Sequence, residues 1–168
     1  DQVVAAGKEF GVVHAGLRAL GSLRMEKGYR DYGHDLDNTD DPYETGLGFA
    51  IDLKKPDGFI GKEALLERKA KGPLQRRLLS ILVKDPEPQM FHAEIVRRDG
   101  KAVGYVRAAS YGHTLGGAVG LAFLEPKQIV DEAYLTSGTW EVEIAGRLYP
   151  ALVTSRPLYD PKGERIKL

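Results

Sequence analysis

Cysteine is missing from this sequence of 168 residues, and tryptophan occurs once. The lack of cysteine excludes disulfide bonds, thiolate metal ligands and a cysteine nucleophile. It fits a reducing compartment, so we expect the cytoplasm or, as an alternative, the mitochondrial matrix. No apolar run approaches the ~18 residues of a membrane-spanning helix, and a membrane is therefore not an expected partner.

An excess of charge of one sign is also lacking. The chain has 24 basic and 24 acidic side chains and a net charge of zero. Nucleic-acid-binding proteins usually show a basic excess or stripe, so nucleic acid is not an expected partner. We interpret the densest basic stretch, Lys69–Lys71 with Arg76 and Arg77, as a solvated face.

The first residues show neither an initiator methionine nor a signal peptide. Asp1-Gln2-Val3-Val4 has no basic start and opens inside a predicted helix. We therefore expect a piece of a longer chain or a mature product.

Several segments resemble common ligand-binding motifs but do not have the residue spacing that those motifs require. Residues 58–62 have two residues between their glycines where a phosphate loop needs four, and residues 112–120 are glycine-rich without dinucleotide spacing. The acids of residues 35–41 alternate as in a calcium loop but lack its glycine and its last glutamate, so we interpret them as turn and capping residues. The histidines show no metal-ligand spacing: His14, His34, His92 and His113. We expect no metal site.

The first part of the chain is predicted to be mainly helical. Helices are expected over residues 2–10, capped by Asp1, over 15–27 and over 61–71. Alternation predicts a strand over residues 48–53.

The second predicted helix has two further features. Leu17, Leu20 and Leu23 lie near one face because they are spaced three apart. Gly21 weakens the middle of this helix, and a glycine there is typical of close packing.

Gly72-Pro73 is the predicted domain boundary, because the pattern changes to short strands after it. Strands are expected over residues 78–83, 91–98, 101–107 and 120–124. Asp99-Gly100 is a hairpin turn, since both residues tolerate positive φ. Two more strands, over residues 140–144 and 148–154, complete the pattern of a small antiparallel barrel or sandwich.

Four segments in order resemble the glycine-cleavage aminomethyltransferase family. They are residues 16–28 (GLRALGSLRMEKG), 32–37 (YGHDLD), 42–49 (PYETGLGF) and 59–65 (FIGKEAL). Segments that resemble the family's C-terminal barrel follow at 99–104 (DGKAVG), 109–112 (ASYG) and 120–124 (GLAFL). The resemblance implies an α+β fold. Residues 1–72 are expected to be the C-terminal portion of the folate-binding catalytic domain, and residues 73–168 a small antiparallel β-barrel or Greek-key domain.

Residues 26–30 (EKGYR) and 157–161 (PLYDP) look more like the branch fused to sarcosine and dimethylglycine dehydrogenases. The resemblance implies an upstream FAD-dependent oxidoreductase domain that demethylates an N-methyl amine substrate. The module itself then passes the one-carbon unit to tetrahydrofolate. The family arginine that contacts the folate tail is replaced by Leu20, and leucine cannot pair with a carboxylate.

The resemblance also implies where folate and substrate contacts lie. We expect no catalytic residue in this chain, because the family's catalytic aspartate lies upstream, and we expect the chain to be inactive alone. Expected lining residues are Arg24, Glu26, Tyr29 and Tyr32 on the catalytic-domain side, with Tyr111 and His113 on a barrel loop. The structural alternatives are an Arg24–Glu26 ion pair, tyrosines at the edge of the core, and a plain turn at 111–113.

Two rival interpretations stay open at this point. One is a non-catalytic regulatory module of the same architecture, with which Leu20 is compatible. The other is a different folate-dependent or tRNA-modifying relative, which usually carries a cysteine-containing motif that this sequence lacks.

Overall fold

The computed structural model describes residues 1–165 and residue 167. The helices are α1 (Gln2–Gly7), α2 (Leu17–Glu26), α3 (Lys62–Ala70) and α4 (Glu132–Thr136), and 3-10 turns occupy Lys8–Phe10 and Gly48–Ala50. The strands are β1 (Arg77–Val83), β2 (Ile95–Arg98), β3 (Lys101–Gly112), β4 (Gly117–Leu124), β5 (Trp140–Ile144) and β6 (Arg147–Thr154).

The six strands close into a barrel in the order β1-β4-β3-β2-β5-β6, with every neighbouring pair antiparallel. Three consecutive strands, β2 to β4, are joined by hairpins, and β1 lies beside β4, which is a Greek-key order. The predicted α+β fold with an antiparallel barrel is confirmed. Positive φ angles of 49° at Asp99 and 75° at Gly100 form the predicted β2–β3 turn.

Strand β4 explains how helix and barrel join, because all eight of its residues are buried. Ala118, Ala122 and Leu124 face the barrel interior. Val119, Leu121 and Phe123 face outward, where Met25 of α2 packs against them. Since successive side chains of a strand point to opposite faces, an uninterrupted apolar run is covered on both sides.

The backbone of β3 approaches β4 closely at Gly104. A Cβ built on Gly104 would lie 1.9 Å from the carbonyl oxygen of Phe123. Only glycine fits this position, next to a register shift between Val106 and Ala108. The glycine therefore lets β3 bend around the barrel.

Four predicted strands differ from the structure. Strand β3 continues beyond the predicted residue 107 to Gly112, which places Tyr111 on a strand instead of a loop, and β4 begins at Gly117 instead of residue 120. Residues 48–53 contain a 3-10 turn instead of a strand, because Ala50 and Ile51 donate to carbonyls three residues back and no partner strand is adjacent. The strand predicted from residue 91 begins at Ile95. Ala93 has a φ of 67°, and the amide of Phe91 donates to the Glu94 carboxylate at 2.8 Å, so the chain turns before the strand begins.

The helix boundaries are close to those predicted, but two details were wrong. Asp1 precedes α1 without a side-chain capping bond. Gly21 is not in close packing: apart from its own helix and chain neighbours, no heavy atom lies within 4 Å of a Cβ built there. Open space therefore adjoins the middle of α2. Among the described residues, no helix is long and apolar enough to cross a membrane.

Candidate functional site: two clefts beside helix α2

Two polar side chains on the buried face of α2, Ser22 and Glu26, bond the helix to the end of β3 and to the β3–β4 turn. Ser22 Oγ donates to the Tyr111 carbonyl at 2.6 Å. Glu26 is 2% exposed, and its Oε1 accepts from the amides of Thr114 at 2.7 Å and Leu115 at 3.0 Å. These bonds give the buried carboxylate the donors that it needs. Glu26, predicted to line a ligand site, therefore holds the β3–β4 turn, which contains His113 and follows Tyr111 at the end of β3.

Arg24 does not pair with Glu26, so that alternative was wrong. Its Nη1 lies 2.5 Å from Oδ2 of Asp35, a carboxylate whose side chain is fully buried. Nη1 also donates to the Tyr29 carbonyl at 3.3 Å. Arg24 therefore holds the segment that follows α2, whereas Glu26 contacts the barrel turn on another side of the helix.

The first cleft, here called the barrel groove, lies between α2 and the end of β3 and has a volume of about 330 Å³. The predicted lining residues Arg24, Tyr111 and His113 meet here. The rings of Tyr111 and His113 are 5.2 Å apart and tilted by 59°. Its other walls are Arg18, Gly21, Ser22, Met25, Gln89, Met90, Phe91, Ala109 and Ser110.

The second cleft, here called the loop cleft, has a volume of about 600 Å³ and contains the other two predicted tyrosines. Tyr29 is 52% exposed and Tyr32 is 68% exposed, so they are not aromatics at the edge of the core. The remaining walls are Lys27, Gly28, Arg30, Leu36, Gly46, Leu47, Phe49, Ser155 and Pro157. The structure therefore divides the predicted site residues between two clefts, with Glu26 outside both.

Arg30 was missed by the sequence analysis, although it lies in the EKGYR segment quoted above. Its Nε donates to the Thr45 carbonyl at 2.9 Å, and its Nη1 donates to the Gly28 carbonyl. Burial lowers the pKa of Arg30 from its ordinary value, an effect that nearby Asp35 opposes. Arg30 thus joins two loops at the floor of the loop cleft.

A network of arginines and acids, here called the ionic junction, joins residues 40–44 to the barrel. Asp40 is fully buried at its side chain and accepts from Arg76 at 2.8 Å and from Arg107 at 3.0 Å. Both guanidinium groups also lie over the Phe123 ring, at 3.8 and 5.0 Å. Sequence reasoning missed this network because its partners are more than thirty residues apart.

Arg76 was predicted to be on a solvated basic face, and this was wrong. It contacts the carboxylates of Asp40, Glu44 and Glu125. Burial by itself lowers the pKa of Arg76, but hydrogen bonds to these acids outweigh it and raise the pKa. Arg68 makes a similar pair of contacts from α3, to Asp41 and Glu44.

Asp37 and Asp41 cap turns, as predicted, whereas Asp35 and Asp40 form ion pairs with arginines. The amides of Thr39 and Tyr43 donate to Asp37 and Asp41 at 2.8 and 2.6 Å. Within residues 1–165 and 167, no group of three or more acidic or histidine side chains could hold a metal ion.

Residues 155–161 run along the end of α2 after leaving β6. Lys27 Nζ donates to the Asp160 carbonyl at 2.8 Å and to its carboxylate at 3.1 Å. The Tyr159 amide donates to the Glu26 carbonyl at 3.0 Å. This segment therefore closes one side of the loop cleft.

The opposite face of α2 has no covering element among the described residues. Leu17, Leu20 and Leu23 are 86%, 59% and 57% exposed. Within residues 1–72, Met25 is the single hydrophobic side chain that is buried, apart from glycine. An apolar stripe of this kind marks a surface made to be covered.

Comparisons with known proteins agree with this architecture. Residues 1–55 match the GCVT N-terminal domain, and residues 76–160 match the glycine cleavage T-protein C-terminal barrel domain. The predicted boundary at residue 72 falls between these matches and stays a prediction. The fold is also that of the glycine cleavage system aminomethyltransferase T from Bartonella henselae, with a TM-score of 0.75 and 23% identity over 95% of this chain and 44% of that chain.

Several longer curated proteins match nearly the whole chain. It is 49% identical over 99% of its length to 4-methylaminobutanoate oxidase (formaldehyde-forming) of Paenarthrobacter nicotinovorans. It is 37% identical to human mitochondrial sarcosine dehydrogenase and 35% identical to human mitochondrial dimethylglycine dehydrogenase. The chain spans 18–19% of the length of these relatives. The chain belongs to the glycine cleavage T-protein family, in the branch that is joined to sarcosine and dimethylglycine dehydrogenases.

Proposed function

We propose that this chain is the C-terminal part of a folate-dependent one-carbon transfer module within a longer FAD-dependent N-methyl amine dehydrogenase or oxidase. The observation that carries the proposal is the uncovered leucine face of α2, which adjoins two open clefts in a chain of this family. A stripe of three exposed leucines fits the interior of a larger domain better than a solvated surface. We infer that an upstream part of the same protein covers it and closes the site.

The proposed reaction moves a methylene group from an iminium ion to tetrahydrofolate. An N-methylene iminium with one N–H and a folate with two reactive N–H groups give a protonated primary amine and methylenetetrahydrofolate, so atoms and charge balance. The rate of such a transfer is raised chiefly by holding the reactants together and by excluding water. The exposed rings of Tyr29, Tyr32 and Phe49 offer flat walls on which an aromatic ring system can stack.

The catalytic carboxylate is proposed to come from the upstream part. The acids next to the loop cleft are already occupied, since Asp35 is paired with Arg24 and Asp160 with Lys27. Neither can orient a folate nitrogen without breaking its present contact. We therefore propose that the isolated chain is inactive.

FAD is also assigned to the upstream part. The common dinucleotide site is built on a βαβ unit with parallel strands, and every strand pair of this barrel is antiparallel. The described residues therefore do not fit FAD, and their proposed role is limited to folate and substrate contacts. The relatives named as mitochondrial support the matrix as a location beside the cytoplasm.

Titration with tetrahydrofolate tests the division of the site. We expect no saturable binding to the isolated chain below about millimolar, and micromolar binding to a longer chain that restores the upstream part. Calorimetry on both chains measures this directly. A micromolar dissociation constant for the isolated chain would contradict the claim that its site is incomplete.

A non-catalytic regulatory module is the second candidate, and it is favoured by Leu20. This residue stands where the family arginine contacts the folate tail, and it is 59% exposed. The longer protein separates the two candidates: formation of methylenetetrahydrofolate from an N-methyl amine supports transfer. Folate-independent formaldehyde release with unchanged yield supports the regulatory role.

A further inference from the structure

A third cleft, larger than either cleft beside α2, lies on the outside of the barrel. It is here called the β6 groove and has a volume of about 750 Å³. Its floor is strand β6 from Pro150 to Thr154, one wall is helix α4, and the other wall is the segment that contains Arg156, Pro157, Leu158 and Pro161.

The β6 groove and the leucine face of α2 lie on different sides of the barrel. In the closed order β1-β4-β3-β2-β5-β6, strand β6 is three places from β3 in either direction. Helix α2 packs against β3 and β4. A surface that lies flat on the leucine face of α2 therefore does not cover the β6 groove as well.

Strand β6 has apolar side chains on its outward face. Ala151 and Val153 are buried in the barrel core, so the residues that alternate with them point outward. The outward residues include Leu148, which is 50% exposed, Pro150, and Leu152, which is 45% exposed. The solvent face of an antiparallel sheet is normally polar, so a contiguous apolar stripe here indicates an interaction surface.

The shape of the groove fits a protein segment better than a small ligand. Small-molecule pockets enclose most of the surface of their ligand, whereas the β6 groove is open along one side. The apolar stripe also continues past the groove, because Leu148 is exposed and lies outside the residues that line it. An occupant that covers the whole stripe is therefore longer than the groove.

Two cations indicate the charge of such an occupant. Lys84 and Arg156 line the groove, are exposed, and make no ion pair with any residue that the structure describes. Glu132 is the one acid that lines the groove, and it accepts a hydrogen bond from the Ser155 hydroxyl. An apolar floor beside two free cations is complementary to apolar side chains that stand next to carboxylates.

A longer protein of this family contains enough chain to supply the occupant. This chain spans 18–19% of the length of its relatives, so most of a protein of that length lies outside it. The part that covers the leucine face of α2 lies on another side of the barrel, so the β6 groove needs a second contact.

We propose that the β6 groove docks an acidic, partly apolar segment of the upstream oxidoreductase part, and that the barrel thereby joins this part to the transfer module. The inference rests on the proposed function for the existence of the upstream part. The groove, its apolar stripe and its two cations all belong to this chain.

Cysteine labelling of the longer protein tests the docking, because residues 1–168 contain no cysteine. Leu152→Cys reports the groove, and Ile95→Cys is the matched control, on strand β2 and 37% exposed. A maleimide should modify Leu152→Cys on the order of tenfold more slowly than Ile95→Cys in the native protein, as read by mass spectrometry of each peptide. Modification of Leu152→Cys as fast as that of Ile95→Cys overturns the proposal. Protection that increases with protein concentration assigns the groove to a second copy of the protein and also overturns it.

Charge variants test whether the docked segment is acidic. Lys84→Glu combined with Arg156→Glu should raise the labelling rate of Leu152→Cys on the order of tenfold, because like charges then face each other. Lys101→Glu makes the same charge change outside the groove and should leave the rate unchanged. If the reversal unfolds the barrel, as seen by circular dichroism, the neutral pair Lys84→Gln and Arg156→Gln gives the same comparison. An unchanged rate in folded charge variants contradicts an acidic occupant.

The same preparations separate this proposal from the proposed function. Methylene transfer to tetrahydrofolate is assayed beside the labelling. Absence of transfer while Leu152→Cys is protected contradicts the proposed function and leaves the docking surface in place. Transfer that persists while Leu152→Cys is freely labelled overturns the docking surface alone.

Discussion

The carboxylate of Asp40 is completely buried, and its Oδ2 accepts a hydrogen bond of 3.0 Å from Nη2 of Arg107 on strand β3. Asp40 lies in the loop after α2, sixty-seven residues away along the chain. The same carboxylate binds Arg76 just before β1. One buried acid thus ties the loop beside the loop cleft to the start of β1 and to strand β3.

Replacing Asp40 by asparagine should destabilise the chain by about 3 kcal/mol, because two arginines lose the charge that compensates them. Urea unfolding measures the change. Asp52→Asn is the control: this exposed acid accepts one bond, from the Lys54 amide, which asparagine can also accept. An equal loss in both variants would contradict a special role for the ionic junction.

Glu26 should matter through its oxygen acceptor more than through its charge. Glu26→Ala removes the buried acceptor shared by the amides of Thr114 and Leu115 and should cost about 1–3 kcal/mol. Glu26→Gln keeps an acceptor and should cost much less. Hydrogen exchange at these two amides reports the turn directly, and protection that survives in Glu26→Ala would show that other contacts hold the turn.

Substitutions on the leucine face of α2 should change the stability of this chain little and that of a longer chain strongly. Replacing Leu17, Leu20 and Leu23 by glutamine should change the unfolding free energy of the isolated chain by less than about 1 kcal/mol, since these side chains are already largely in water. The same change should destabilise a protein that includes the upstream part. Met25→Gln, a buried position, is the contrasting variant and should destabilise both.

The Lys27–Asp160 contact predicts a loss of stability in acid. Desolvation by itself raises the pKa of Asp160, but hydrogen bonds from Lys27 and from two backbone amides outweigh it and lower the pKa. A carboxyl whose folded pKa lies below its unfolded value of about 3.9 stabilises the fold above that pH. This contribution is lost as the pH falls through the folded pKa.

Melting curves between about pH 6 and pH 2 measure the effect. The drop in melting temperature on acidification should be smaller in Asp160→Asn than in the unchanged chain. Asp57→Asn removes an acid from an exposed turn and should leave the drop unchanged. If the two variants respond alike, the segment after β6 is not held by this ion pair.

Turns and strands could be predicted from the sequence because each depends on residues that are neighbours along the chain. The β2–β3 turn follows from Asp99-Gly100, and the strands around it follow from alternation and apolar runs. The resemblance also placed Tyr29, Tyr32, Tyr111 and His113 at clefts, since family motifs carry positions with them. Whether these residues contact folate stays a prediction.

Only the tertiary structure decided which distant groups meet. Composition and charge of residues 69–77 fit a solvated face, yet Arg76 is tied to Asp40 by a barrel that closes on itself. Glu26 was predicted to line a ligand site, but the path of β3 brings the amides of Thr114 and Leu115 to it. Pattern and propensity act over a few residues, whereas burial and ion pairing depend on where the folded chain returns, and no short window of sequence contains that information.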